Sequence, residues 1–159
     1  MLLRPNYNLN SIYDIDIEEL KSVGIKGLFF DLDSTLMKSK SGKFAFKTIQ
    51  YLNDLKMNFK LAIVTNNKKK SYIQKVKSQT DIPVYSEAKK PNTEVLLKAC
   101  YHLNLNPEQV AMIGDRPLSD ILGGQRAKMT TILVDSISKD EENFVVRFAR
   151  FLERLTIEK

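Results

Sequence analysis

The segment Phe29-Phe30-Asp31-Leu32-Asp33-Ser34-Thr35-Leu36 joins an apolar run to two carboxylates one residue apart. The apolar run that begins at Gly27 and ends at Phe30 predicts a buried strand, so Asp31 and Asp33 fall where the backbone turns away. Two carboxylates this close repel each other unless a cation, a proton or a phosphoryl group offsets their charge. The pair is therefore a candidate site, although a solvated loop with two acidic caps would have the same local pattern.

Size and composition predict one globular domain over residues 1–159. Hydrophobic residues make up 43% and charged residues 28% of the chain, which excludes disordered and collagen-like classes. No apolar run is long enough to span a membrane, and the first residues lack a secretory signal pattern. We therefore expect a cytoplasmic protein, in a reducing compartment where the single Cys100 is a core thiol.

The chain is basic, with a net charge of +6 and a pI near 9.3. This balance indicates an acidic partner, which could be a phosphorylated substrate, an anionic membrane or a nucleic acid. Charge alone does not choose among these three classes, and the sequence leaves the oligomeric state open.

Strands and helices alternate along the chain. After residues 27–30, apolar runs at 61–65, 82–85, 110–113 and 131–134 predict four more strands, with helices between them and a last helix over 140–155. This alternation is typical of parallel βαβ units. The predicted fold is α/β: a doubly wound, Rossmann-like parallel sheet of five strands with helices on both faces. Ligands of such sheets bind at the carboxyl ends of the strands.

Polar side chains follow the later strands as well as the first. Thr65 and Asn66 follow the second strand, Lys90 lies beyond the third, and Asp115 and Asp120 follow the fourth. Together with the first acidic pair this places four carboxylates at one edge, where all-oxygen ligands favour Mg²⁺ over zinc. A hydroxyl and a lysine beside them suit a bound phosphoryl group.

Each of these residues also has a simpler structural interpretation. Asn66 and Asn67 could cap the following helix, and Lys90 before Pro91 could be an ordinary loop lysine. Asp120 could be an N-cap of the short helix that follows it.

Taken in order, the motifs resemble those of the haloacid dehalogenase-like (HAD) phosphatases. The matching segments are Asp31-Leu32-Asp33-Ser34-Thr35, Thr65-Asn66-Asn67, Lys90-Pro91, and Gly114-Asp115 with Asp120. The resemblance covers nearly the whole chain and is to the YqeG-type, subfamily IIIA branch, which is similar to mitochondrial phosphatidylglycerophosphate phosphatases. One departure is Lys128, where a glycine is expected after the Gly124-Gln125-Arg126 run.

The resemblance implies a Mg²⁺-dependent phosphatase that forms an aspartyl-phosphate. Asp31 would be the nucleophile, and Asp33 would protonate the leaving oxygen and then activate water. Thr65, Asn66 and Lys90 would bind the substrate phosphate.

The same resemblance implies the ligands of the metal. Mg²⁺ would be bound by the Asp31 carboxylate, the Asp33 backbone carbonyl and Asp115, and Asp120 would complete the acidic motif.

Two other functional classes share some of these features. Receiver domains also gather aspartates, a threonine and a lysine around Mg²⁺, but their acidic pair is adjacent on the first strand. The spacing of Asp31 and Asp33 favours turnover, because the second acid is placed to release the phosphate. Nucleic-acid binding without chemistry rests on charge alone and leaves the acidic cluster unexplained, so we expect no nucleic-acid partner.

The spacing of the motifs leaves no room for a cap domain. Only 31 residues separate Asp33 from Thr65, and 24 separate Thr65 from Lys90. An open site suits a large substrate or one at a membrane surface, so we expect a lipid phosphate such as phosphatidylglycerophosphate. Basic residues of the loops at this edge would attract an anionic membrane: Lys38, Lys40, Lys43, Lys68, Lys69, Lys70, Lys89 and Arg116.

The last predicted helix carries an apolar stripe at steps of four, three and four residues. Its members are Phe144, Phe148, Phe151 and Leu155, and they are flanked by Arg147, Arg150 and Arg154. The stripe could cover the sheet, as a doubly wound fold requires of its helices. Alternatively, the helix could lie on the inner face of a membrane and make the protein peripheral.

Overall fold

A computed structural model describes residues 3–157 and contains one six-stranded sheet in which every neighbouring pair of strands is parallel. The spatial order of the strands is β1-β6-β5-β2-β3-β4. Their bounds are β1 Tyr7–Asn8, β2 Gly27–Phe30, β3 Lys60–Val64, β4 Val84–Tyr85, β5 Val110–Gly114 and β6 Thr130–Leu133. The predicted doubly wound α/β class is confirmed.

Helices connect these strands as the alternation predicts. Their bounds are α1 Ile17–Ser22, α2 Phe46–Leu55, α3 Lys70–Lys77, α4 Glu94–His102, α5 Leu122–Arg126 and α6 Phe144–Arg154. A π-helical turn, Pro117–Ile121, leads directly into α5. Within the described range, no helix has both the length and the apolar character needed to cross a bilayer.

The prediction of five strands was wrong, because β1 was missed. It is two residues long, and one of them is the polar Asn8, so no apolar run marks it. Pairing with β6 creates it: the Leu9 amide donates to the Leu133 carbonyl at 2.8 Å, and the Thr131 amide donates to the Asn6 side chain at 2.9 Å. A strand formed by contacts over 120 residues away in sequence leaves no local signal.

Helices pack on both faces of the sheet because side chains alternate along the strands. Leu28 and Phe30 point into a core that includes Leu20 of α1 and Leu52 of α2. Phe29 points to the opposite face, into a second core that contains three buried residues of α4: Leu96, Ala99 and Cys100. Cys100 is therefore the core thiol that its position predicts.

The register of the three central strands places the candidate residues at one edge. Phe30, the last residue of β2, pairs with Ile63 of β3 on one side and with Ile113 of β5 on the other. The Asp31 amide continues this ladder and donates to the Ile113 carbonyl at 2.9 Å. Side chains that follow these three strands therefore converge at their carboxyl ends.

The described residues contain no cap domain, as the spacing predicts. The interval between Asp33 and Thr65 is occupied by a loop, α2 and β3, and the interval between Thr65 and Lys90 by α3 and β4. No inserted domain therefore covers the carboxyl edge of the sheet within the described residues.

Lys128 keeps the left-handed conformation that a glycine would favour. Its φ is 64°, and its amide donates to the Gln125 carbonyl at 3.0 Å. The Met129 amide donates to the Gly124 carbonyl at 2.9 Å, so the two bonds close the end of α5. Lys128 therefore adopts the backbone conformation of this turn despite its side chain.

The apolar stripe of α6 does not cover the sheet. No residue of this helix is buried, and the stripe residues are among the exposed large hydrophobic side chains. The half-buried side of the helix carries Arg150 and Glu153, whose ion pairs hold it against the protein. The interpretation of this stripe as part of the core was therefore wrong.

Candidate active site

Three carboxylates meet at the carboxyl edge of the sheet. Asp31 follows β2, while Asp115 and Asp120 follow β5, and one oxygen from each lies within 4.8 Å of the others. Asp115 and Asp120 are buried, whereas the Asp31 side chain retains 14% exposure. Asp31 is therefore the member of the cluster that a substrate can reach.

Lys90 provides the positive charge that this cluster needs. Its ammonium donates to Asp120 Oδ1 at 2.7 Å and to Asp31 Oδ1 at 2.9 Å, and its side chain is only 1% exposed. The interpretation of Lys90 as an ordinary loop lysine is wrong, because a solvated lysine would not be buried between two carboxylates.

Burial and mutual repulsion alter how these groups ionise. Burial, and next to it the neighbouring carboxylates, raise the pKa of Asp31, Asp115 and Asp120, and that of Asp120 reaches about 6. Burial alone would lower the pKa of Lys90, but Asp120 and Asp31 outweigh this effect and raise it. The lysine is therefore a permanent cation, while the carboxylates gain from any further positive charge.

Asn66 holds the backbone of Lys90 instead of capping a helix. Its side-chain oxygen accepts from the Lys90 amide at 2.7 Å, and its side-chain nitrogen donates to the Lys90 carbonyl at 3.0 Å. The neighbouring Asn67 accepts from the Lys69 amide at 3.0 Å, just before α3. Asn66 also lines the cleft, so its predicted contact with substrate stays a prediction alongside this positioning contact.

Thr65 and both acids of the first motif line an open cleft of about 570 Å³. Thr65 is buried, and its hydroxyl accepts from the Asn67 amide at 3.1 Å, which leaves its proton available to a ligand. On the opposite side the cleft is lined by Arg116, Leu118, Ser119, Arg150 and Glu153.

Asp33 lies outside the carboxylate cluster and has its own hydrogen-bond donors. The Tyr72 hydroxyl donates to Asp33 Oδ1 at 2.5 Å, the Lys40 amide donates to the same oxygen at 3.1 Å, and the Asn67 side chain approaches Oδ2 at 3.4 Å. Burial and the contact with Asp33 raise the pKa of Tyr72, so this phenol remains a donor. Sequence reasoning missed Tyr72, since it comes from α3 and carries no motif.

Gly114 leaves the space that Asp120 occupies. A Cβ atom on Gly114 would lie 2.2 Å from Asp120 Oδ2, which no pair of atoms tolerates. The same carboxylate oxygen accepts from the Arg116 amide at 3.1 Å. The glycine before Asp115 is therefore required by the packing of Asp120. Asp120 lies inside the π-helical turn and Ile121 is the N-cap of α5, so the interpretation of Asp120 as the N-cap of that helix is wrong.

Two arginines form ion pairs at this site, and the sequence placed only Arg116 at this edge. Arg150 of α6 pairs with Asp115 and also donates to Glu142 at 2.8 Å, and Arg116 pairs with Glu153. The sequence placed Arg150 on the flank of an apolar stripe, where no local signal connects it with Asp115. Only the position of α6 across the edge of the sheet brings them together.

The donor set fits a hard divalent cation. Asp31, Asp115 and Asp120 offer only oxygen ligands, and these three carboxylates outnumber the two cations paired with them, Lys90 and Arg150. The Asp33 side chain does not belong to this group, so its backbone carbonyl remains the ligand that the resemblance predicts. Thr35 supports the cluster by donating to Asp115 Oδ1 at 3.0 Å.

Comparisons with known proteins agree with this geometry. The profile of the HAD-hydrolase-like family matches residues 87–152. The chain is 31% identical over 151 residues to "Probable phosphatase YqeG" of Bacillus subtilis, covering 94% of this chain and 87% of that protein. It is 28% identical over 158 residues to "Phosphatidylglycerophosphate phosphatase 1, chloroplastic/mitochondrial" of Arabidopsis thaliana, covering 94% of this chain but only 45% of that protein.

Among solved structures, a HAD phosphatase from Thermococcus onnurineus has the same fold. The TM-score is 0.58 at 15% identity, over 75% of this chain and 89% of that one. A parallel sheet with an acidic cluster at its carboxyl edge is the arrangement that the resemblance to HAD phosphatases implies, and the relative from Bacillus subtilis shows the family. The chain belongs to the HAD-like phosphatases, in their YqeG-type branch.

The buried lysine generates a prediction about stability. We expect Lys90→Met to lower the free energy of unfolding by about 3 kcal/mol, because it leaves Asp31 and Asp120 buried without their cation. Urea denaturation measures this change. Lys89→Met is the matched control, since Lys89 is exposed and next in sequence. Equal stability of the two variants would contradict the assignment of the ion pairs.

The contact between Tyr72 and Asp33 generates a prediction about turnover. We expect Tyr72→Phe to lower kcat about tenfold with little change in KM, because a hydrogen bond to a charged group is lost. Tyr72 is a positioning residue and does not line the cleft itself. Tyr101→Phe, at an exposed tyrosine of α4, is the control and should leave both constants unchanged. A rise in KM alone would contradict this role.

Proposed function

We propose that the protein hydrolyses a phosphomonoester through an aspartyl-phosphate on Asp31. The observation that carries this proposal is the difference between two carboxylates one residue apart. Asp31 belongs to the cation-paired cluster at the floor of the cleft, whereas Asp33 lies outside the cluster and is held by Tyr72. Two acids in different surroundings can serve as nucleophile and as proton carrier.

In the first step an oxygen of Asp31 attacks phosphorus, and the bond from phosphorus to the ester oxygen breaks. Oδ1 accepts from Lys90 at 2.9 Å, while Oδ2 has only a long contact of 3.5 Å with the Thr35 hydroxyl. Oδ2 is therefore the freer nucleophile. Asp33 gives its proton to the leaving alkoxide, which departs as an alcohol.

In the second step the Asp33 carboxylate takes a proton from water. The hydroxide attacks phosphorus, the bond to Asp31 breaks, and inorganic phosphate leaves as Asp31 regains its carboxylate. Asp33 ends the cycle protonated, as it began. The hydrogen bonds from Tyr72 and the Lys40 amide hold it in one orientation for both transfers.

Positive charge and hydrogen-bond donors stabilise the phosphoryl oxygens. The Thr65 hydroxyl lines the cleft, and the Lys90 ammonium already contacts Asp31, where the phosphoryl group would be bound. Mg²⁺ would be held by the carboxylates of Asp31, Asp115 and Asp120 and the Asp33 carbonyl, and it would neutralise charge on the phosphoryl group.

For the substrate we propose a lipid phosphate such as phosphatidylglycerophosphate. An open cleft of about 570 Å³ accepts a phosphate on a large molecule, and its rim combines Arg116 with the exposed Leu118. The Arabidopsis relative is named for phosphatidylglycerophosphate, which supports the same class. Phosphates of sugars, nucleotides or proteins are the alternatives.

We also propose that the protein contacts an anionic membrane peripherally. Lys68, Lys69 and Lys70 are exposed just beyond the Asn67 contact with Asp33. Cations near a membrane surface each contribute about 1 kcal/mol to attraction, and the contribution decreases with added salt.

The mechanism predicts different defects for the two acids. Asp31→Asn abolishes Mg²⁺-dependent hydrolysis, because an amide is not an anionic nucleophile. Asp33→Asn slows leaving-group protonation and release of phosphate, so a phosphoenzyme accumulates with a good leaving group. Phosphate release and acid-quench labelling measure the two effects. Asp54→Asn, an exposed aspartate of α2, is the control and keeps normal turnover.

Wild-type turnover in Asp31→Asn would overturn the proposed nucleophile. A wild-type protein that holds its aspartyl-phosphate for minutes, without multiple turnover on any substrate, would favour a signalling role instead.

The substrate proposal predicts a ranking of phosphate esters. With Mg²⁺ we expect kcat/KM for phosphatidylglycerophosphate in mixed micelles to exceed that for glucose 6-phosphate, AMP or a phosphopeptide by at least about tenfold. Micelles without the phosphorylated lipid, mixed with the soluble esters, control for effects of detergent. A preference for any soluble ester would overturn the lipid assignment and leave the phosphatase assignment intact.

A further inference from the structure

Helix α6 has its apolar side facing away from the protein. We define its outer face as Phe144, Val145, Phe148, Phe151, Leu152 and Leu155, all of which are exposed. The three phenylalanines are 80%, 49% and 57% exposed. A helix that serves only the fold would present this side to the sheet.

The outer face is one continuous surface. The ring centroids of Phe144 and Phe148 are 6.0 Å apart, and those of Phe148 and Phe151 are 6.4 Å apart. Scattered exposed hydrophobic side chains are normal, but a contiguous apolar patch marks a surface that binds something. Phe46 and Met57, which are also exposed, make no ring contact within the described residues and lie on another helix and turn.

Polar contacts hold the opposite side of the helix against the active site. Arg150 pairs with Asp115 and Glu142, Glu153 pairs with Arg116, and Arg154 donates to the Val134 carbonyl at 2.7 Å. Turning the apolar side inward would break these contacts and leave the buried Asp115 without its arginine. The outward orientation is therefore determined by the contacts of the inner side.

Basic residues lie next to the outer face of α6. A groove of about 410 Å³ beside α6 is lined by four basic residues and two acidic ones: Lys139, Arg147, Arg150, Arg154, Asp135 and Glu142. Lys139 and Arg147 are exposed, and neither has an ion-pair partner among residues 3–157. An apolar face bordered by uncompensated cations complements an acyl layer beneath anionic headgroups.

We propose that the outer face of α6 docks on an anionic bilayer, with Arg147 and Lys139 at the level of the headgroups. The proposal rests on the proposed function for its link to a lipid phosphate. Arg150 and Glu153 line the active-site cleft from the inner side of the same helix. Docking through α6 therefore places the bilayer about one helix diameter, roughly 10 Å, from residues that line the cleft.

The charge of the chain favours a bilayer over a second copy of the protein. In a symmetric dimer the same patch appears on both subunits, so Arg147 would approach the cations of an identical surface. Both copies would also carry the net charge of +6. Such a contact places like charges next to each other, whereas the headgroups of an anionic bilayer neutralise these cations.

Vesicle sedimentation of the full chain tests the proposal. The vesicles are phosphatidylcholine alone or with phosphatidylglycerol. We expect wild type to bind the anionic vesicles and Phe144→Gln/Phe148→Gln to bind at least about tenfold more weakly, because the apolar contact with the bilayer is lost. Phe46→Gln/Met57→Gln removes equally exposed apolar side chains from α2 and the turn after it, and it should bind as wild type does.

Two further measurements make the result specific. Arg147→Gln should weaken binding to anionic vesicles and increase the fraction that remains in the supernatant, even if the double phenylalanine variant fails to fold. Hydrolysis of soluble 4-nitrophenyl phosphate should be unchanged in Phe144→Gln/Phe148→Gln, since neither side chain lines the cleft.

Equal vesicle binding by wild type and Phe144→Gln/Phe148→Gln would overturn the proposal. A dimer in light scattering that these substitutions abolish, without any vesicle binding, would assign the face to a second copy. Vesicle binding that depends on Phe144 and Phe148, in a protein without phosphatase activity on any ester, would support the docking surface while removing the proposed function.

Discussion

The structure of the site depends on one buried ion-pair arrangement, the Lys90 ammonium between Asp120 and Asp31. Without it, three carboxylates would share a space within 4.8 Å of one another with little compensating charge. Other features of the site serve this arrangement: Asn66 clamps the Lys90 backbone, and Gly114 leaves room for Asp120. Because a buried charge is costly when it is unpaired, each of these contacts holds the others in place.

The sheet makes this arrangement possible by aligning the ends of its three central strands. Asp31 follows β2, the two buried acids follow β5, and the asparagine that holds the lysine follows β3. Asp33, two residues after Asp31, lies outside this cluster and accepts a hydrogen bond from Tyr72 of α3. The turn after β2 thus separates two chemically identical groups into different surroundings, which gives them different chemistry.

Helix α6 connects the active site with the surface of the protein. Its inner side reaches the carboxylate cluster through Arg150, while its outer side presents phenylalanines to the surroundings. The polar side chains of this helix pair with the rest of the protein, whereas its apolar side chains are exposed. This arrangement reverses the usual rule for a helix that packs on a sheet, and it couples the position of the helix to the chemistry of the site.

The α/β class, the central strands, the lack of a cap between the motifs and the motif residues can all be predicted from the sequence, because apolar runs and ordered motifs are local signals. Four features come from tertiary contacts alone: the added strand β1, the Tyr72 contact with Asp33, the clamp on Lys90 and the Arg150 contact with Asp115. Tertiary contacts also decide which way α6 faces, since a stripe of phenylalanines fits a core or a surface equally well. Each of these features joins residues far apart in sequence. Their contacts stabilise the protein only after the sheet has formed and brought the ends of its strands together.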